Sequence, residues 1–290
     1  MRCAGAARPA IVFFGENRGG RHYARDMKPG RSPFCAWRRS RLPLAALLLC
    51  MTVAGRAADD DAFAPSPFVQ ATAAFESGDL AQAERLAAPL ADGEAATADA
   101  CSLLGQIRLQ QKRPAEAVAQ FARAVAMKPA SAAMRSRLGE ALLAQAGEAE
   151  GAARAALLGR ARTELELAAA TDAECVDAQM GLLRFHLHSP GAGPAGAAER
   201  HAAAAARLDP LTATYEVAAL AESFNRFDLA EPYYREYARL FPNPWLSWKH
   251  GCMLAALGRA AEARGVFTAI LEKVPGFEHA RRSLEALPAP

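Results

Sequence analysis

An alanine returns down this chain as Ala83, Ala117, Ala161, Ala198, Ala230 and Ala263, at spacings of 34, 44, 37, 32 and 33 residues. Its neighbourhood returns with it. The clearest copy runs Leu104-Gly105, then Ala117, Phe121, Ala124 and Pro129. Two later copies read Ala230, Tyr234, Tyr237, Pro242 and Ala263, Phe267, Ile270, Pro275. Ala198, Ala202, Ala205 and Pro210 form a degenerate one, while Ala161, Leu165 and Ala168 are followed by Ala173 where the proline would stand. The first copy, around Gly78, Asp79 and Ala83, has Ala87 in the aromatic's place. A unit of this length cannot bury its apolar face alone, so successive units must stack on one another.

Hydrophobic residues make up 52% of the chain and aromatics only 7%, because much of the apolar share is alanine. Alanine favours helix and packs thinly, which predicts an all-α protein with close contacts between helices. Gly105, Gly139, Gly181 and Gly251 lack a β-carbon where a second helix must approach, and Ala117 and its equivalents do the same from the other side. Phe121, Tyr234 and Phe267 are expected to fill the space between hairpins. Pro129, Pro210, Pro242 and Pro275 end each second helix. Between Gly139 and Ala161 about ten extra residues around 147–151 lengthen a helix or loop, and Ser189–Gly196 is a turn-forming insertion.

This pattern resembles the tetratricopeptide repeat, whose unit of about 34 residues carries L-G, A-x3-F and P in this order. The resemblance implies an all-α solenoid, a right-handed superhelix of about six units over 68–277, with a capping helix and tail at 278–290. It also implies that the first helix of each unit lines a concave groove. Carried over in register, repeat two presents Asp99, Ser102, Gln106, Leu109 and Gln110, and repeat three Ser136, Glu140 and Leu143. Repeat four presents Leu182, Phe185 and His186, repeat five Tyr215 and Glu222, and repeat six Trp245, Trp248 and Cys252. The partner-binding candidates are Gln106, Gln110, Ser136, Glu140, Phe185, Tyr215, Glu222, Trp245 and Trp248. The family's clamp for chaperone C-terminal carboxylates needs Lys and Asn where this sequence has Ser102 and Gln106, which argues against a cytosolic chaperone adaptor.

The charge is unevenly spread. Residues 1–57 hold 11 of the 34 Lys+Arg but 2 of the 31 Asp+Glu, which leaves a net of −6 for the rest. A body of that sign lacks the field that draws nucleic acid, so no nucleic-acid partner is expected. The basic excess instead introduces an uncharged run, Leu42 to Ala54, after Lys28, Arg31, Arg38, Arg39 and Arg41. That run is too short to span a bilayer but suits a secretory signal, with Gly55 and Ala57 as the small residues for cleavage before Ala58. The reading is a bacterial export signal over 27–57, a linker at 58–67, and a periplasmic or secreted protein. Residues 1–26 read as an annotation extension ahead of a true start at Met27. Cys101, Cys175 and Cys252 remain after the leader and are expected as small core residues.

No catalytic signature is present: no P-loop, no G-x-G-x-x-G after a strand, no H-E-x-x-H, no nucleophile elbow and no cysteine pairs at zinc spacing. His186 and His188, two apart on a helix, face different ways and do not suit a shared metal. No cofactor or metal is expected, and the chain reads as a non-enzyme. The expected function is an exported scaffold that binds a peptide or protein in its groove, in assembly or maintenance of an envelope complex. An uncleaved leader would make it a membrane-anchored structural subunit of an envelope or secretion complex instead.

Overall fold

A computed structural model describes residues 65–288 apart from Glu94. The leader, the cleavage position and residues 1–26 lie outside the described residues, as do Ala289 and Pro290. Among the described residues there are thirteen helices and no strand. They fall into hairpins: α1 (Pro67–Ser77) with α2 (Leu80–Asp92), α3 (Ala98–Gln110) with α4 (Pro114–Met127), and α5 (Ala132–Glu148) with α6 (Gly151–Thr171). There follow α7 (Val176–His188) with α8 (Ala197–Leu208), α9 (Ala213–Ser223) with α10 (Phe227–Leu240), and α11 (Pro244–Ala256) with α12 (Ala260–Lys273). The last helix, α13 (Glu278–Glu285), packs on both members of the sixth hairpin. The chain is an all-α helical repeat solenoid.

Local chemistry sets the helix ends. Short polar side chains close the exposed amides of several first turns. Thr97 Oγ1 accepts from Ala100 N at 3.2 Å, Asp79 Oδ1 from Gln82 N at 2.9 Å and Asn243 Oδ1 from Trp245 N at 2.8 Å. At the other end, α4, α8, α10 and α12 each stop two residues before Pro129, Pro210, Pro242 or Pro275. A proline has no amide to continue the ladder and restricts the residue before it. Unit three stops in the same place without one, because Asp172 Oδ1 accepts from Glu174 N at 2.9 Å and turns the backbone itself.

The insertion after Gly139 lengthens helices rather than a loop. α5 has 17 residues and α6 has 21, with only Ala149 and Glu150 between them. The core is a chain of local clusters. Ala83, Ala87, Cys101 and Leu104 fill the first, Phe121, Leu142 and Leu165 the next, and Leu183, Val217 and Tyr234 a third. Leu254, Phe267 and Ala280 tie α13 to the sixth hairpin. Cys101 and Cys175 are buried and Cys252 is half-buried, with burial pushing its thiol up to about 11.

Candidate protein-binding face

The first helices of neighbouring units are joined by polar bridges that share one direction. A basic residue on the later helix reaches back to a polar side chain on the earlier one. Arg137 Nη1 of α5 donates to Ser102 Oγ of α3 at 2.8 Å. Arg184 Nη1 of α7 donates to Glu140 Oε1 of α5 at 2.8 Å, and Lys249 Nζ of α11 donates to Glu222 Oε1 of α9 at 2.6 Å. Ser102, Glu140 and Glu222 therefore hold the neighbouring unit; Ser102 is buried in doing so, although the register placed it on the groove, while Glu140 and Glu222 keep open surface. Arg137 and Lys249 each stand two residues before a repeat glycine, Gly139 and Gly251, a recurrence that reading the family register alone passes over.

The middle of this face is acidic. Burial pushes the Glu140 carboxyl up despite the guanidinium of Arg184 beside it, and Asp177 adds to the effect. The Glu140 side chain still keeps 27% of its surface open. The carboxyl is therefore partly desolvated yet still reachable from solvent. Glu216 on α9 is pushed up in the same way, first by burial and then by Asp177, Asp209 and Glu140. Glu140 and Glu216 thus both lie within electrostatic reach of Arg184, and Asp177 adds negative charge near each of them.

The C-terminal part is aromatic. The Tyr215 ring lies 5.3 Å from that of Tyr237 and 6.3 Å from that of Tyr234. The Tyr234 hydroxyl donates to Glu222, and burial together with that carboxylate pushes its ionisation well above the ordinary tyrosine range. The Lys249 ammonium stands 6.0 Å from the ring centres of both Tyr234 and Trp248, a cation–π arrangement closed on its other side by Glu222. Trp245 and Trp248 pack at 4.7 Å, and His279 of α13 lies 5.2 Å from each. Trp248 Nε1 donates to Ser283 Oγ at 2.9 Å, so the capping helix takes up one edge of the pair.

Gln106 is half-buried, with its amide nitrogen donating to Ser102 O of its own helix at 3.3 Å, and Gln110 is exposed. Two candidates are corrected. Ser136 is fully buried: its Oγ donates to Ala132 O at 2.9 Å and lies 3.8 Å from Cys175 Sγ. Phe185, 3% exposed, packs in the core with Leu165 and Leu182. Leu143 and Leu182, placed on the groove by the same register, are buried too. The reason is the close packing of α7 on α5, the most extensive pairing between first helices among the described residues.

No group of three or more His, Cys, Asp or Glu side chains among the described residues is placed to hold a metal ion. His186 stacks on His201 at 5.4 Å, while His188 sets its edge against Phe224 at 4.7 Å. What the face offers is recognition: charge-assisted hydrogen bonds, aromatic surface and partly desolvated carboxylates.

Residues 68–131 and 103–159 match the tetratricopeptide repeat family. The chain carries tetratricopeptide repeats. No curated protein sequence matches it. Among solved structures it is similar to PilW, titled a type IV pilus biogenesis factor, at 17% identity and a TM-score of 0.55 over 75% of this chain and 96% of that one. Pseudomonas aeruginosa pilF gives 16% identity and a TM-score of 0.51 over 76% and 95%. Human IFIT1, in a dimer with PPP-AAAA, gives 14% and 0.56 over 76% and 53%. These likenesses show the tetratricopeptide fold, which is in general a scaffold for protein–protein interaction.

Proposed function

We propose that this chain is an exported scaffold that binds a segment of a partner protein along its first-helix face, and that it serves the assembly or maintenance of an envelope complex. The observation that carries the binding part is the line of half-buried polar groups from Gln106 through Glu140 and Arg184 to Glu222 and Lys249, with the exposed Glu216 beside it. Groups left part-way between core and solvent gain most from a ligand that completes their hydrogen bonds. Carboxylates outnumber cations in the middle of the line, so the best match is a segment carrying a basic side chain. We read the chain as a non-enzyme because its sequence carries no catalytic signature such as a P-loop or a nucleophile elbow. Export rests on the basic stretch and the uncharged run Leu42 to Ala54. The envelope role is supported by the likeness to PilW, a type IV pilus biogenesis factor, and we carry over nothing narrower.

The test is affinity capture from the native envelope with the chain starting at Ala58 as bait. Changing Gln106 and Gln110 together to arginine should abolish recovery of the main captured protein. Lys273→Ala, at the exposed end of a second helix, should leave it unchanged. Equal recovery with both variants would remove the first-helix face from the function.

A further inference from the structure

The insertion in the fourth unit, Ser189–Gly196, joins α7 to α8 and folds back over a pair of imidazoles. His186 of α7 and His201 of α8 stack with ring centres 5.4 Å apart and planes only 7° from parallel. The turn lies directly on this stack. A Cβ at Gly193 would come within 2.6 Å of His186 Cε1, so the backbone touches the ring. Two arginines hold the turn from either side: Arg162 Nη1 donates to Ala192 O at 3.0 Å, and Arg200 Nη1 donates to Ala195 O at 2.8 Å.

We propose that the His186–His201 stack is an acid-sensitive latch: while the rings are neutral it holds the Ser189–Gly196 turn against α7 and α8, and protonating them releases the turn. Two parallel rings tolerate this distance when neutral. Two imidazolium cations at the same distance repel each other through a partly desolvated medium, where charges are poorly screened. The charged groups around them make matters worse. From α6 come Arg162 and Glu166, and from α8 come Glu199 and Arg200. The turn itself carries no titratable side chain. Both carboxylates are already committed, Glu166 to Arg162 at 2.7 Å and Glu199 to Arg226 at 2.7 Å. A new positive charge on the stack therefore meets two guanidiniums and no free counter-ion.

The geometry also says which atom takes the proton. His201 Nδ1 lies 2.9 Å from Gln179 Oε1, a carbonyl acceptor, so Nδ1 donates and Nε2 is the basic site. Burial is the first cause holding both rings below the ordinary histidine range, with Arg162 acting next on His186, and His186 itself next on His201. The sign follows. The latched state prefers neutral rings and the released state binds more protons, so latching is complete above the ordinary histidine value of about 6.5 and is lost as pH falls below it.

Amide hydrogen exchange on the full chain tests this. The Ala192 and Ala197 amides, which donate to Ser189 O and Pro194 O, report on the turn. Corrected for intrinsic rates, their protection should fall about tenfold or more between about pH 7.5 and 5, while amides in α3 and α4 hold theirs. In His201→Gln the repulsion between the rings is removed and only His186, lowered by burial and Arg162, still titrates, so protection should fall clearly less than in the parent. Parent protection that does not change with pH, or that is lost equally in the variant, would overturn the latch. As a second readout without substitution, proton chemical shifts of both rings and of the Gly193 amide should follow one coupled titration below the free-histidine value. Rings that titrate independently at the ordinary value, with a static Gly193 amide, would also overturn it.

Discussion

A β-carbon on Gly105 would lie 2.9 Å from the Phe121 ring, closer than carbon atoms pack, and Phe121 is itself 1% exposed. The recurring glycine and the recurring aromatic are therefore one contact, made inside a hairpin. That pairing was legible in the spacing of the sequence. The fourth unit departs from it in a way that spacing does not reveal. Its aromatic position is Ala202, too small to reach Gly181, and Leu165 of the preceding unit fills the gap, with Cδ2 2.3 Å from where a Cβ on Gly181 would be. The same leucine also faces Gly139. One side chain thus serves two units, a choice dictated by volume in three dimensions. Because Phe121 has no second aromatic to take its place, Phe121→Ala should cost about 3 to 5 kcal/mol. Urea unfolding followed by circular dichroism reads this directly, and a loss below about 1 kcal/mol would mean that the ring is not packed as described.

At the scale of elements, the ends of the second helices and the Ser189–Gly196 turn were readable because prolines and turn formers act locally, whereas the capping side chains were not read. Nor was the register of the binding face readable. The family register treats every first helix alike, yet lengthening α5 and α6 goes with a closer approach of α7 to α5, and Ser136 and Phe185 disappear between them. Tyr215, Glu222, Gln106 and Glu140, by contrast, retain open surface. The tryptophan pair shows a different effect, since α13 covers it with His279 and Ser283, residues no groove pattern includes. A terminal helix of this kind shields the last unit of a solenoid from water. Ending the chain after Phe277 should shift the emission of Trp245 and Trp248 to longer wavelength and lower the first unfolding midpoint. An unchanged emission maximum would mean that α13 does not shelter the pair.

For the whole molecule, stability is close to a sum over neighbouring units, so no single face has to be apolar and the surface is free to carry recognition chemistry. The division of charge fits this. A basic segment over residues 1–57 precedes a body of net −6, and on the proposed export reading the two signs would serve different purposes, passage across a membrane and discrimination among partners. The leader's fate decides which kind of molecule results. Its uncharged run, Leu42 to Ala54, is 13 residues long, whereas a helix needs about 20 to cross a bilayer, so retaining it would anchor the chain weakly at best. On the proposed reading, removing it would leave Ala58 first, followed by Asp59, Asp60 and Asp61, an acidic start that would not hold the chain to an anionic membrane surface. Intact-mass measurement of the protein recovered from its native cells should therefore give a chain beginning at or within a few residues of Ala58. A mass that still includes Leu42 to Ala54 would replace the free scaffold with a membrane-held subunit, and would place the first-helix face within reach of membrane partners only.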